Sequence, residues 1–267
     1  MRKNRLRELL REGRPTIGTR ILSAWPGIVE VIGHTGAIDY VEFVGEYAPY
    51  DLYDLENLAR ATEIFGISSM LKVDQEPNCF LAQRALKSGI QNILFTDIRS
   101  VEDARECVRI VKPETPESKG INGCHAARCV GYGLESGSPE YVKAMDDVVI
   151  ALMIEKKGAV ENLEGVLSVE GIDMVQFGPC DYSLSVGVPG QRSHPRVREA
   201  ELETIKTALR MRVRPRVELK SSVKKEDIEK YIDLGVRDFS LPMDVSILYH
   251  WLKENGERLR KILSSLK

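Results

Sequence analysis

Eight short apolar segments recur along the chain, each bounded by glycine, proline, aspartate or serine. Most are separated by segments of helix length, and this alternation is typical of parallel strands, which need a long crossover to return in the same direction. The predicted strands are Thr16–Ile21, Tyr40–Val44, Ser69–Val73, Asn92–Thr96, Val148–Ile154, Met174–Phe177, Pro215–Leu219 and Asp238–Leu241. Eight units without a repeated sequence predict an α/β fold of the closed (β/α)8 TIM barrel type rather than a solenoid.

Polar and apolar positions between the strands predict amphipathic helices. Ser100 followed by Asp103 has the spacing of a capping box, which predicts a helix beginning after the fourth strand. A C-terminal helix is predicted over about residues 244–266, where apolar residues form one stripe: Leu248, Leu252, Leu259, Ile262 and Leu266. That stripe needs a surface to bury it, either on the barrel or on another chain.

Composition favours one domain spanning residues 1–267, because 43% hydrophobic residues suffice for a single large core. The formal charge of -2 provides no long-range field that would attract nucleic acid or an anionic membrane. The basic N-terminus lacks the apolar core of a signal peptide, and no apolar run approaches the ~20 residues of a membrane span. We therefore expect a cytoplasmic protein without a nucleic-acid or membrane partner, whose five cysteines remain reduced.

The spacing is irregular between the fourth and fifth predicted strands. About 50 residues separate them and include the segment KPETPESKGINGCHAARCVGYGLESGSP, which is rich in glycine, proline and serine. We expect a long active-site loop there, followed by a helix from about Glu140. His125 in this loop is one of four histidines in the chain and is a candidate catalytic residue, although a structural role is the more common one for such a histidine.

Two acids follow neighbouring predicted strands directly. Glu155 ends the apolar run VVIALMIE, and Asp181 follows the strand Met174–Phe177 after Gly178 and Pro179. In a (β/α)8 barrel the C-terminal strand ends gather at the catalytic face, and adjacent strands lie ~4.8 Å apart. The two carboxylates therefore converge in a way that suits a hard divalent cation, although each could instead cap a helix or pair with a nearby lysine.

The segment GIDMVQFGPCDYSLSVGVPG followed by HP resembles the corresponding pattern of the HpcH/HpaI aldolase/citrate lyase family, in its branch of class II 2-oxo acid aldolases. Two further segments, IEKKGAVENLEGVLSVEG and AIDYVEFVGEYAPYDLYDLENL, are similar to other parts of the family pattern. The resemblance covers roughly residues 10 to 252, and its GP-x-D-x-S part is the most specific.

The resemblance implies a metal-dependent carbon–carbon lyase. Glu155 and Asp181 would be the ligands of a divalent ion, with Mg²⁺ expected first and Mn²⁺ or Co²⁺ as other possibilities. The amides around Cys180 and Asp181, with Ser183 of the same motif, would bind the carboxylate of pyruvate or a similar small 2-oxo acid. The ion would stabilise the enolate formed when a carbon–carbon bond is cleaved or made. A homo-oligomer, a hexamer in the family, is also implied.

Several positions depart from the family pattern. Tyr47 stands where the family has its catalytic histidine, and Val44 stands where that histidine has a supporting aspartate. Lys72 replaces the arginine that clamps the substrate, so it keeps the charge without the two-pronged geometry. Tyrosine, with an ordinary pKa of about 10, is a poorer base than histidine near neutral pH. Glu46 matches the family glutamate next to that histidine and would orient a neighbouring side chain or a metal-bound water.

These departures leave several functions open. The leading hypothesis is an aldolase-type lyase acting through a metal-stabilised enolate. A second is other enolate chemistry in the same barrel, such as a decarboxylase, an isomerase or an acyl lyase. A third is an inactive relative that binds a ligand, and a Schiff-base aldolase using Lys72 is also conceivable.

Overall fold

The computed structural model describes residues 3–219 and 223–266. Eight parallel strands pair in chain order, and β8 pairs with β1 to close the barrel, which confirms the predicted (β/α)8 fold. The strands are β1 (Thr16–Ile21), β2 (Tyr40–Val44), β3 (Ser68–Val73), β4 (Asn92–Phe95), β5 (Val149–Ile154), β6 (Met174–Phe177), β7 (Arg214–Glu218) and β8 (Asp238–Met243). Each lies within two residues of its predicted bounds.

Helices cover the outside of the barrel and its N-terminal end. In chain order they are α1 (Arg5–Arg11), α2 (Pro26–His34), α3 (Leu52–Phe65), α4 (Asn78–Ser88), α5 (Val101–Val111), α6 (Pro139–Asp146), α7 (Lys157–Glu161), α8 (Leu163–Leu167), α9 (Pro179–Ser185), α10 (Pro195–Arg210), α11 (Lys225–Leu234) and α12 (Asp244–Ser264). A 3-10 turn, Arg128–Gly133, precedes α6.

Local sequence signals set the limits of several helices. At the start of α5 the Ser100 side chain accepts from the Asp103 amide, and the Asp103 carboxylate accepts from the Ser100 amide, which confirms the predicted capping box. Gly66 and Gly89 end α3 and α4 in left-handed conformations that glycine adopts without steric cost. Each helix therefore returns the chain to the N-terminal end of the next strand.

The segment before α6 does not lie at the catalytic face, so the prediction of an active-site loop is wrong. Arg128 donates to the Ser88 carbonyl at the end of α4 and to the Glu63 carboxylate near the end of α3. Both helix ends lie near the N-terminal ends of the strands, because each helix runs antiparallel to the strand before it. The segment thus covers the opposite side of the barrel from the strand ends that hold Glu155 and Asp181.

The barrel interior combines an apolar cluster with buried polar groups, which include Thr16 and Asp238 at its N-terminal end. The apolar part is closed from below by Leu6 of α1 and contains Tyr40, Met70, Leu94, Val149, Ala151, Met153 and Met174. Above it, Arg216 of β7 pairs with Glu42 of β2, and both side chains are 1% exposed. Arg216 also donates to Gln176, which donates to Glu218, each at 2.5 Å. This chain of bonds links strands β2, β6 and β7 across the barrel.

Helix α12 presents its apolar side chains to solvent within this one chain. More than half of the surface of Leu248, Tyr249, Trp251, Leu252, Leu259, Ile262 and Leu263 is exposed. Such a continuous apolar surface is uncommon on a monomer. Among the described residues, no helix is both long and apolar enough to cross a membrane.

We expect Arg216→Met to destabilise the protein by about 3–5 kcal/mol, because Glu42 would remain buried without a partner. Urea unfolding followed by circular dichroism measures the change. Arg60→Met removes an exposed pair with Glu56 and should cost about 1 kcal/mol or less. A double variant, Glu42→Leu with Arg216→Met, should recover most of the loss; equal destabilisation by both single arginine variants would contradict the assignment.

Candidate active site

Polar residues follow five consecutive strands and form an arc along the C-terminal rim of the barrel. The arc comprises Glu46 and Tyr47 after β2, Lys72 on β3, Asp97 after β4, Glu155 after β5, and Cys180 and Asp181 after β6. The parallel register brings them together, since Val44 pairs with Lys72 and Ile154 pairs with Phe177. The structure therefore gathers all the predicted site residues except His125 and Ser183 on one side of the barrel mouth.

Glu155 is the most enclosed acid of the arc, with only 3% of its surface exposed. Its Oε1 accepts from the Asp97 amide at 3.1 Å. A Cβ at Gly178 would lie 2.3 Å from Glu155 Oε2, so glycine leaves the space that this carboxylate occupies. Burial raises the pKa of Glu155 to about 7, although Lys72 and the Asp97 amide oppose the shift and Asp181 adds to it.

Asp181 lies in the first turn of α9, and 38% of its side chain is exposed. The Lys156 ammonium stands 2.5 Å from Asp97 Oδ1 and 3.5 Å from Asp181 Oδ1. Lys156 therefore lies between the two acids and forms the shorter ion pair with Asp97. Asp181 keeps the more open position of the two predicted ligands.

Lys72 connects the β2 end of the arc to its centre. Its ammonium lies 2.6 Å from Glu46 Oε2 and donates to the Tyr47 hydroxyl at 3.3 Å. Burial alone would lower the pKa of Lys72, but the hydrogen bond and charge of Glu46 outweigh burial and raise it above its usual value. For Tyr47 burial has the other effect and raises the pKa, and the nearby charge of Lys72 opposes this increase. At neutral pH the site thus presents an ammonium and a protonated phenol.

Ser183 and His125 differ from the sequence-based expectation. Ser183 is fully buried, and its hydroxyl donates to the Cys180 carbonyl at 2.6 Å and accepts from the Gly190 amide at 3.2 Å. It braces the turn that holds Cys180 and Asp181 and does not face the mouth. His125 lies near the N-terminal ends of the strands, where its ring contacts Cys129 Sγ at 3.2 Å and the Gly123 carbonyl at 3.2 Å. It does not join the other candidate residues.

The charges of the arc suit a doubly charged cation. The arc has a formal charge of -2 when all its groups are ionised, because it contains four acids and two lysines. The acids are Glu46, Asp97, Glu155 and Asp181, and the lysines are Lys72 and Lys156. Within residues 3–219 and 223–266, no three histidine, cysteine or acidic side chains form a metal cluster. Two carboxylates are nevertheless sufficient for a hard ion that also takes water and substrate oxygens. The buried Glu155 and the more exposed Asp181, whose charge raises the pKa of Glu155, are the pair of carboxylates in the arc that would hold such an ion.

Asp97 was missed as a site residue in the sequence. Asp97 follows β4 at a left-handed φ of 58°, a conformation that aspartate tolerates better than most residues. Its position directly after a buried strand is the same signal that identified Glu155.

A family model for HpcH/HpaI aldolase/citrate lyase matches residues 20–215, which is well over half of the chain. The chain belongs to this family. Its curated relatives are named as aldolases, which are carbon–carbon lyases.

Two curated relatives and one solved structure illustrate the similarity within the HpcH/HpaI family. The 2-keto-3-deoxy-L-rhamnonate aldolase of Klebsiella pneumoniae is 31% identical over 206 residues, covering 76% of this chain and 74% of the relative. The hydroxypyruvate/pyruvate aldolase of Roseobacter denitrificans is 27% identical over 248 residues, covering 92% and 93%. The crystal structure of an HpcH/HpaI aldolase from Desulfitobacterium hafniense has a TM-score of 0.85 at 25% identity and 97% coverage of both chains.

We expect treatment with pyruvate and borohydride to leave Lys72 unmodified. Its pKa is raised by Glu46, so at neutral pH it is an ammonium and not the free amine that a Schiff base requires. Intact-mass spectrometry followed by peptide mapping measures any adduct, and a Lys72→Met sample provides the background. A pyruvate-dependent adduct on Lys72 in the wild-type protein would contradict this.

Proposed function

We propose that this protein is a divalent-metal-dependent lyase of the aldolase type that cleaves or forms a carbon–carbon bond next to the carbonyl of a small 2-oxo acid. The observation that supports this most directly is the placement of Glu155 and Asp181 after the adjacent strands β5 and β6, close enough for the Asp181 charge to raise the pKa of Glu155, with Gly178 making room for the Glu155 carboxylate. The curated relatives are aldolases, which favours the same reaction type.

Glu155 and Asp181 are the residues that would hold the ion, with Mg²⁺ as our first choice and Mn²⁺ or Co²⁺ as alternatives. When bound, it would act as a Lewis acid where negative charge develops on the substrate oxygens. Glu155 would have to ionise fully, and a cation beside it favours this by opposing the effect of burial. The exposed Asp181 would remain accessible to water and substrate.

Lys72 and Tyr47 would handle the substrate itself. The Lys72 ammonium, held by Glu46, offers a fixed positive charge to the substrate carboxylate as a single-point contact. The Tyr47 oxygen accepts a hydrogen bond from Lys72, and its hydroxyl is also hydrogen-bonded to the Glu46 carboxylate, so a substrate would take the place of Glu46 as the acceptor of the Tyr47 proton. A phenol with a raised pKa is a proton donor at neutral pH rather than a base, so we assign Tyr47 the role of general acid. The α9 amides at Cys180 and Asp181 would assist in binding the carboxylate.

One observation also favours a second function, decarboxylation of a 2-oxo diacid whose second carboxylate is β to the 2-oxo carbon, because loss of that carboxylate as carbon dioxide leaves an enolate. Aldol cleavage needs a base that accepts the proton of the substrate hydroxyl, whereas loss of carbon dioxide does not. None of the four histidines lies in the arc: His34 ends α2, His125 lies near the N-terminal strand ends, His194 caps α10, and His250 lies on α12. Protonation of the resulting enolate by Tyr47 would complete the reaction.

We further propose that the protein works as a homo-oligomer, a hexamer by family resemblance. The exposed apolar side chains of α12, including Trp251 and Leu252, would then be covered by a second copy of the chain. Burying a helix face of this size is a sufficient reason for association.

We expect Glu155→Ala and Asp181→Ala each to abolish Mn²⁺ binding and the exchange of pyruvate methyl protons with solvent. Electron paramagnetic resonance measures the bound ion, and proton NMR in D₂O measures exchange independently of any second substrate. Glu161→Ala removes an exposed acid on α7 and is the matched control, which should change neither signal. Exchange that survives in either site variant, or resists a chelator, would refute the proposed chemistry.

The oligomer is tested by Leu252→Asp, which should dissociate it because a charge would enter the apolar interface. Size-exclusion chromatography with light scattering measures the mass. Lys253→Asp introduces the same side chain at the next position of α12 and should leave the mass unchanged. A wild-type protein that runs as a monomer at micromolar concentration would argue against association through α12.

A further inference from the structure

A cavity of about 630 Å³ opens on the side of the barrel mouth away from the arc, where β7, β8 and β1 meet. Charged residues line much of it: Arg20, Arg192, Arg198, Arg216, Glu201 and Glu218. Including Glu42, which is buried behind Arg216, four positive side chains stand against three negative ones. The cavity therefore has a formal surplus of one positive charge and favours an anion.

Arg20 points from β1 into this cavity through the inside of the barrel. Inward positions alternate along the strand: Thr16 donates to Asp238 at 2.7 Å inside the barrel, and a Cβ at Gly18 would meet the ring of Tyr40 at 2.3 Å. Arg20 continues this inward series near the C-terminal end of β1. Its side chain is 15% exposed, so its tip reaches the mouth while its base lies in the barrel.

The Arg20 guanidinium is only partly engaged. Its Nη1 lies 2.7 Å from Glu218 Oε1, whereas its buried Nε has no hydrogen-bond partner among the residues that the structure describes. A buried donor without a partner destabilises the folded protein. The edge formed by Nε and the neighbouring amino group is one that accepts a carboxylate through two parallel hydrogen bonds.

The cavity extends to the candidate active site. Phe177 and Pro179 line it, and the residue between them is Gly178, which contacts Glu155. In the closed order of eight strands, β1 lies opposite β5, whose end carries Glu155. A small substrate held at Glu155 and Asp181 by its 2-oxo acid end would thus extend across the mouth towards Arg20.

We propose that Arg20 determines substrate specificity by binding a second carboxylate, at the end of the substrate remote from its 2-oxo acid group. This inference rests on the proposed function and narrows the substrate class to 2-oxo dicarboxylic acids. Glu218 remains beside the guanidinium, so a singly charged carboxylate suits the position better than a doubly charged phosphate.

Calorimetric titration of the full chain with Mg²⁺ present tests the role of Arg20. Two matched pairs of ligands isolate the distal carboxylate: 2-oxoglutarate against 2-oxopentanoate, and 2-oxoadipate against 2-oxohexanoate. The wild-type protein should bind the diacid of at least one pair about tenfold more tightly or better, the range expected of charge-assisted hydrogen bonds. Arg20→Gln should remove this preference and leave monoacid binding unchanged.

Two further variants keep the result interpretable. Arg20→Lys retains the charge and should show an intermediate preference, because it lacks the two-pronged edge. Arg198→Gln is the control, since Arg198 lines the same cavity but is already paired with Glu201 at 2.8 Å, and the preference should change less than about twofold.

The outcomes separate this inference from the proposed function. Binding of neither acid by the wild-type protein would overturn both. Equal binding of both acids, or a preference that survives Arg20→Gln, would overturn the role of Arg20 alone. Stronger competition by inorganic phosphate than by succinate would overturn the assignment to a carboxylate.

Discussion

The hydrogen bond from the Gly178 amide to the Ile154 carbonyl, 3.1 Å long, is the contact on which the geometry of the site depends. It extends the parallel register of β5 and β6 by one step beyond the strands, and so fixes the backbone of Gly178 against the side chain of Glu155. Because the barrel is closed, every other strand end is fixed relative to this pair. The arc from Glu46 to Asp181 is therefore a consequence of strand register rather than of flexible loop positions.

The charged layer inside the barrel works against stability on its own. Burying Glu42 and Arg216 requires removing both from water, and their mutual attraction generally offsets little more than that cost. Apolar residues of similar volume would fill the space at least as well. The network is better understood through what it positions: Gln176 holds Glu218, and Glu218 holds Arg20 at the mouth. A buried polar chain of this kind fixes the direction of a charged side chain that would otherwise be mobile.

Sequence patterns predicted the fold well because strand length and bounding residues are local properties. The convergence of Glu155 and Asp181 on neighbouring strands could also be inferred, since strand order in such a barrel follows chain order. The position of His125 could not, because a long segment between a helix and a strand can pack at either end of the barrel, and the Arg128–Glu63 pair that decides the matter joins residues far apart in sequence. Ser183 was misjudged for a related reason: motif membership does not reveal whether a hydroxyl faces the cavity or, as here, the Cys180 carbonyl.

The two sides of the barrel mouth carry opposite excess charge, and this difference affects which reaction steps the protein can support. The arc from β2 to β6 has an excess of acids and offers a site for a cation, whereas the cavity between β7 and β1 has an excess of arginines and offers a site for an anion.

Within the arc, Lys72 remains an ammonium and Tyr47 remains a protonated phenol at neutral pH, since both pKa values are raised. Such an arrangement stabilises negative charge and delivers a proton to carbon or oxygen faster than it removes one. The replacement of histidine by Tyr47 therefore moves the balance of the site from proton removal towards proton delivery, and a substrate whose bond cleavage itself generates the enolate suits that balance best.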